Sequence, residues 1–354
     1  MAPVVQSCSI KKSDLGRFFK SVRPTVYSES SPRSSTTSSN AVSPSWSATG
    51  ASLATCSGIS IRIWNPERAG ARNSSTELRN AHPRGGVEYG SIGIPGEMVD
   101  AVSFCPTREN VLASTGADNM VRVWDVRLPS SGPCGGTSRP ASLAWSPDGN
   151  QLLVCARKGS SIAGLELRCL SLEKNSGGEP LDYMSISFSN SGAELFAPTA
   201  AGPVALLDWP SGKSFRMLRG LSGPSLAAVH SPLGGSIAVG CQDSIIALWD
   251  TRTFFCVLTM QTPLGGSAPA GNLSYSFDGQ YLCSGSASCN TGIVPPAAAK
   301  KDSGALNIYW AESGEIIYTV ETQSIPTHVA WHPNQHLVAY TSDSGLRTFG
   351  LGVL

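Results

Sequence analysis

Charge is scarce in this 354-residue sequence. Only 14% of positions are charged and the formal sum is +1 at pH 7, which excludes a globally basic nucleic-acid binder. No Cys-x-x-Cys pair occurs among the ten cysteines. Cys155, Cys241 and Cys283 sit inside apolar strand patterns, where a free thiol acts as a small hydrophobe. That usage predicts a reducing compartment, cytosol or nucleus, without a disulfide framework. No run of about 18 apolar residues occurs, so no membrane span is expected. The opening MAPVVQSCSIKK lacks the apolar stretch of a secretory signal. Also missing are a Gly-x-Ser-x-Gly elbow, a His-Glu-x-x-His motif and paired catalytic carboxylates. The sequence therefore predicts no enzyme and no cofactor.

What it does have is turn-formers, 37 Gly and 24 Pro, within a chain that is 41% hydrophobic. Many short strands joined by tight connections suit that composition. A recurring unit supports this: an aromatic or apolar anchor, a Ser or similar small residue, a Gly-containing turn, then apolar strands. The anchors are Trp46, Phe104, Trp145, Phe188, His230, Tyr275 and Trp331, at intervals of 58, 41, 43, 42, 45 and 56 residues. One WD40 blade takes roughly 40–45 residues. The two long intervals carry insertions at 66–97 and 287–304. The later strands of each unit, such as Met120–Val126 and "SIIALWDT" at 244–251, are almost continuously apolar. Such strands need both faces covered, which radially arranged sheets provide and a two-layer sandwich does not.

The expected fold is all-β, a seven-bladed β-propeller over 22–354 behind a flexible basic tail over 1–21, with a Ser-rich link after it. The last unit is one strand short, so a strand near 22–27 is predicted to close the ring and remove its open edges. Asp118 and Asp243 stand at turns where a carboxylate accepts backbone N–H groups. Trp64, Trp124 and Trp249 are expected to fill the gaps between blades.

Laid out this way, the chain resembles the WD40-repeat family, and within it the third-subunit family of the THO complex. The stretches that carry this are "IRIWNPER" (61–68), "VRVWDVR" (121–127), "LAWSPDGNQLLV" (143–154), "IALWDT" (246–251), "SYSFDGQYL" (274–282) and "HVAWHPNQHLVAYTSDSGLRTFGL" (328–351). The resemblance implies a nuclear, protein-binding subunit that docks on a large helical scaffold subunit. The assembly it implies works with an RNA helicase and an export adaptor to package transcripts for export. The sequence departs from the WD40 pattern where a Gly-His pair is expected, reading Asn80-Ala81-His82, and the other repeats lack the pair too. The polar tetrads are therefore expected to be incomplete, with Asp118 and Asp243 relying on local backbone bonds.

Other candidates have plainer readings. Trp124-Asp125-Val126-Arg127 and Trp249-Asp250-Thr251-Arg252 resemble the Trp-Asp-x-Arg element by which WD40 substrate receptors of cullin ubiquitin ligases contact their adaptor. Ordinary repeat chemistry at a strand end is the preferred account of them, and the ligase reading supplies the runner-up function. His328, His332 and His336 are four apart, but Pro333 and a strand–turn–strand pattern separate the rings. Ser211-Gly212-Lys213-Ser214 lacks the earlier Gly of a phosphate loop, since position 207 is Leu, and reads as a hairpin turn. In the tail, Leu15, Phe18, Phe19 and Val22 fall at helical spacing after Ser13, among Lys11, Lys12, Arg17 and Lys20. A partner-docking helix, a weak RNA-contacting arm and a cap on the propeller's own side all fit that pattern.

Overall fold

The serine after an anchor builds the first turn of its unit. Ser47 accepts the Gly50 N–H at its carbonyl (2.9 Å) and the Ser52 N–H at its hydroxyl (3.0 Å). Ser146, Ser189 and Ser276 repeat both bonds with Gly149 and Gln151, Gly192 and Glu194, and Gly279 and Tyr281. The glycines in these turns take φ of +68° to +83°, a region closed to most side chains. A Ser-x-x-Gly spacing is thus the mould of a tight hairpin.

The computed structural model describes residues 10–20, 22–27, 42–68, 75–82, 99–116, 118, 120–128, 132–136, 140–156, 183–261, 272–285, 304–322, 326–342 and 345–350. Helix α1 (Lys12–Lys20) and β1 (Thr25–Tyr27) come first. The first sheet holds β2 (Val42–Trp46), β3 (Leu53–Ser57), β4 (Ser60–Trp64) and β5 (Ser75–Leu78). The second holds β6 (Val99–Phe104), β7 (Val111–Gly116), β8 (Met120–Asp125) and β9 (Gly132–Gly136). The third pairs β10 (Pro140–Trp145) with β11 (Leu152–Ala156). The fourth follows with β12 (Ser187–Phe188), β13 (Glu194–Pro198), β14 (Val204–Asp208) and β15 (Ser214–Leu218). The fifth has β16 (Ser225–His230), β17 (Ser236–Cys241), β18 (Ile245–Asp250) and β19 (Cys256–Gln261). The sixth has β20 (Asn272–Tyr275), β21 (Tyr281–Gly285), β22 (Gly304–Trp310) and β23 (Ile316–Thr322). The last consists of β24 (His328–Trp331), β25 (Leu337–Ser342), β26 (Gly345–Gly350) and, at its outer edge, β1.

Each anchor ends the first strand of a sheet. These strands pack in cyclic order, β2 on β6, β10, β12, β16, β20 and β24 in turn, and β24 packs back on β2. The sheets therefore form a closed ring, a β-propeller. Serines stitch neighbouring inner strands: Ser45 Oγ accepts the Phe104 N–H and Ser274 Oγ the Trp331 N–H, both at 2.9 Å. The Trp46 indole crosses the ring closure to the Ala330 carbonyl at 3.0 Å. In β17, Ile237, Val239 and Cys241 pack on the fourth sheet while Ala238 packs on the sixth. Burial on both faces explains the continuous apolar run.

Three expectations need correction. Six sheets have four strands and the third shows two, so six complete blades stand where seven are predicted. The stretch after β11, 157–182, lies outside the described residues. The insertion placed at 66–97 contains β5, the outer strand of the first sheet, whose Leu78 is buried; that at 287–304 lies outside the described residues except for Gly304. The tail over 1–21 is not simply flexible, because Lys12–Lys20 is a helix with Leu15 and Phe19 buried. Amphipathic spacing gave this helix an apolar stripe, and the ring supplies a place to bury it. The closing strand is Thr25–Tyr27, paired antiparallel with β26 as Thr25↔Thr348, Val26↔Arg347 and Tyr27↔Leu346.

Candidate interaction surfaces

Asp118 lies between β7 and β8, and the second sheet builds a full polar tetrad around it. His82 Nδ1 is 2.7 Å from Asp118 Oδ1, and His82 Nε2 is 2.8 Å from Ser114 Oγ. Ser114 in turn accepts the Trp124 indole N–H at 2.8 Å. Arg122 adds a second bond to the carboxylate, 2.5 Å to Oδ2. Burial pushes the Asp118 carboxyl up, but the bonds from His82 and Arg122 outweigh it and hold its pKa below the ordinary value. Burial lowers His82 despite its carboxylate partner. A neutral ring donating from Nδ1 to Asp118 and accepting at Nε2 from Ser114 satisfies those two bonds, with Arg122 Nη1 also 2.7 Å from Nδ1. The incomplete tetrad expected here is corrected. The histidine follows Ala81 instead of glycine, and Gly116 makes the room: a Cβ there would lie 2.5 Å from the His82 ring.

The fifth sheet lacks this arrangement. Asp243 accepts the Ile245 N–H at 3.4 Å, a local backbone bond of the kind expected, and also Ser222 Oγ at 2.9 Å from 21 residues away. Val239 occupies the register of Ser114, and Trp249 Nε1 has no acceptor among the described residues. In the first sheet Thr55 takes the Trp64 indole N–H at 3.0 Å. All three tryptophans are buried.

The Trp-Asp-x-Arg elements form turns. Arg127 donates from Nε (2.9 Å) and Nη2 (2.5 Å) to Asp125, which holds that carboxyl down at about 2. Asp250 accepts the N–H groups of Arg252 (3.0 Å) and Thr253 (2.8 Å). Both arginines are exposed, but the Arg127 guanidinium is already occupied by its own strand-end carboxylate.

The N-terminal segment seats itself between the sixth and seventh sheets. Phe19 stacks on Phe349 (4.9 Å) and Tyr318 (5.7 Å). With Leu15 it joins a core containing Tyr281, Leu306, Val329 and Tyr340. The Ile10 carbonyl accepts the Tyr281 hydroxyl at 2.6 Å, Lys12 pairs with Glu315, and the Lys12 ammonium lies 5.7 Å from the Trp310 ring centre. As a partner contact Phe19 is corrected to core. Phe18 is half-buried at its edge, and Lys11, Arg17 and Lys20 remain exposed.

The three histidines separate as read: His328 is on β24, and His332 and His336 flank the following turn. Burial lowers His328 and His332 to about 4. Ser211–Ser214 joins β14 to β15 as a hairpin turn, with Gly212 at φ +68°. One surface escaped the sequence reading altogether. On the outer rim of the fourth and fifth sheets, Phe215, Phe255 and Val257 are exposed by 48%, 73% and 63%. The sequence of β19 carries no local signal of it, because a strand pattern does not say which face lacks a neighbour.

Comparison with known proteins agrees with this geometry. The family model for the WD domain, G-beta repeat, matches residues 93–125. The chain is 27% identical over 339 residues to WD repeat-containing protein AAC3 of Dictyostelium discoideum, covering 87% of this chain and 64% of that protein. It is 25% identical over 288 residues to THO complex subunit 3 of Arabidopsis thaliana, covering 78% and 82%. With the Retinoblastoma-binding protein 5 homolog of Drosophila melanogaster it shares 26% over 263 residues, covering 66% of this chain and 48% of that protein. The chain thus spans less than two thirds of the first and about half of the third. The β-propeller domain of Cps50 (Swd1) from Myceliophteria thermophila superposes with a TM-score of 0.70 over 94% of this chain at 14% identity; that likeness speaks for the fold.

Proposed function

Taking the chain as a WD40 β-propeller similar over most of its length to a third THO subunit, we propose that it is a non-enzymatic, protein-binding scaffold subunit. It belongs on this reading to a nuclear THO-like complex that couples transcription to mRNA packaging and export. The observation that carries the proposal is the match to the plant subunit, 78% of this chain against 82% of that protein. The ring supplies the mechanism: inter-sheet packing holds the strands rigid, and rim and turn residues present themselves to partners. The chief partner is a large helical scaffold subunit. RNA contact is indirect, or weak and salt-sensitive through Lys11, Arg17 and Lys20, which α1 leaves exposed.

Affinity purification of the tagged chain from nuclear extract tests this. Helical THO subunits in near-equal amounts are the expected result. Recovery of a cullin-ligase adaptor instead, abolished by replacing Arg127 and Arg252 with Ala, would overturn the assignment in favour of a substrate receptor. Retention of the chain outside the nucleus would also count against it.

A further inference from the structure

The open rim between the fourth and fifth sheets has a defined shape and charge. Leu258 and Met260 of β19 pack toward the sixth sheet. Thr259 pairs with Ala247 and Cys256 with Trp249, both of which face the fourth sheet, and the exposed Val257 is the extra residue of the bulge between them. Phe254, at φ +56°, fills the base of the groove against Trp249 and Leu218. The Arg216 guanidinium lies 4.9 Å from the Phe254 ring centre, and Phe215 meets the same ring edge-on at 6.3 Å. Phe215 touches this plug, Phe255 follows it in the chain and Val257 lies on β19; they are three of the seven exposed large hydrophobic residues described.

Lys213, Arg216, Arg219 and Arg252 are exposed around these side chains. Two carboxylates, Asp208 and Asp250, lie beside these four cations and keep their charge while bonded within their own hairpins, which leaves the cations in excess. Asp208 accepts Ser211 Oγ at 2.6 Å, and Asp250 caps the Arg252–Thr253 turn. None of the four cations forms a salt bridge among the described residues. The rim is apolar at its centre and positive at its margin.

The same molecule shows how such a place is covered. Tyr318 on β23 and Arg216 on β15 hold the same register, each directly after the bulge residue of its outer strand, Ile317 and Phe215. At the sixth sheet, Phe19 stacks on Tyr318, Leu15 of the next turn is buried, and Lys12 meets Glu315. A basic amphipathic helix covers that acidic-edged rim. Charge complementarity at the fourth and fifth sheets asks for the opposite sign.

We propose that the rim formed by β15 and β19 docks an amphipathic helix of a partner protein, apolar at positions i and i+4 and acidic on its flanks. The inference needs only the fold and the rim, so it survives or fails independently of the THO assignment. The probe is a stapled peptide of the α1 sequence with its Lys and Arg replaced by Glu, compared with the stapled native α1 sequence, by fluorescence anisotropy on the full chain. The acidic peptide is expected to bind at least about tenfold more tightly, and to weaken as salt is raised. Phe255→Asp and Val257→Asp, each at an exposed position, should each cut that binding about tenfold while leaving the thermal melt unchanged. Equal affinity for the two peptides, or no response to either substitution, would overturn the proposal. Tighter binding of an oligouridylate strand, or a concentration-dependent dimer lost on Phe255→Asp, would reassign the rim to RNA or to a second copy of the chain.

Discussion

Two stretches of the outer rim start from similar chemistry and end differently. Between the sixth and seventh sheets, Tyr318 of the outer strand β23 and Phe349 of β26 are capped by α1, and its Phe19 is 0% exposed. Between the fourth and fifth, Phe254 plugs the groove from its own hairpin while Phe255, its neighbour, is 73% exposed. The lesson is that the ring itself does not need rim aromatics covered; the chain covers one place with its own N-terminal segment and leaves the other to solvent. Burial of the first contributes to folding, whereas exposure of the second costs apolar hydration that a partner can recover.

The sharpest way to break this comparison is to truncate both phenylalanines. Phe19→Ala should destabilise the chain by about 3–5 kcal/mol, as for other buried aromatic truncations. Phe255→Ala should stay within about 0.5 kcal/mol of wild type, as for surface changes. Urea melts of both variants read this directly, and similar losses would mean the two rims are not different in kind.

The acid sensitivity lies at a third place, where the seventh sheet closes on the first. His332, packed edge-on against Trp46 at 4.7 Å, is held neutral by burial with a pKa of about 4, against about 6.5 when unfolded. The unfolded chain binds more protons in that interval, so this stabilisation is fully present above about pH 6.5 and is lost as pH falls toward 4. The loss amounts to about 3 kcal/mol for His332 alone, and His328 adds in the same direction. Stability measured across pH 4–7 should fall on acidification, and a variant with both residues changed to Gln should show a flatter profile.

Next in size is the contrast between the second and fifth sheets. His82→Ala should cost about 1–3 kcal/mol because it leaves Asp118 and Ser114 short of partners in a buried site. A double-mutant cycle between His82 and Asp118 should return about 0.5–3 kcal/mol of coupling. The Asp243–Trp249 pair should return none, since Trp249 Nε1 has no acceptor among the described residues. Smallest of all is Arg127→Ala, whose largely exposed guanidinium meets a half-buried Asp125 at the surface; it should not measurably move the melt, because surface pairs are screened and entropically costly.

Legibility in the sequence followed the range of each interaction. Anchor, serine and glycine lie within a few residues of one another, so their turns could be read directly, and each anchor ends an inner strand. The tetrad was misread because His82 and Asp118 are 36 residues apart, with an intervening stretch that hides their proximity and Ala81 where a glycine was sought. The rim patch went unseen for a related reason: "FFCVLTMQ" (254–261) looks apolar throughout, and nothing local says that Leu258 and Met260 turn inward while Phe255 and Val257 do not.

By itself, then, the sequence pointed to radial sheets, their turns and a strand that closes the ring, though not to the number of complete blades, because continuously apolar strands and positive-φ glycines are written within a few residues. Only the tertiary structure decided that α1 lies on the propeller's own flank, that His82 completes a tetrad, and that one rim stays open. Those outcomes depend on surfaces brought together from distant parts of the chain, Phe19 against Phe349 above all, and apolar contact is non-directional until a partner surface is in place.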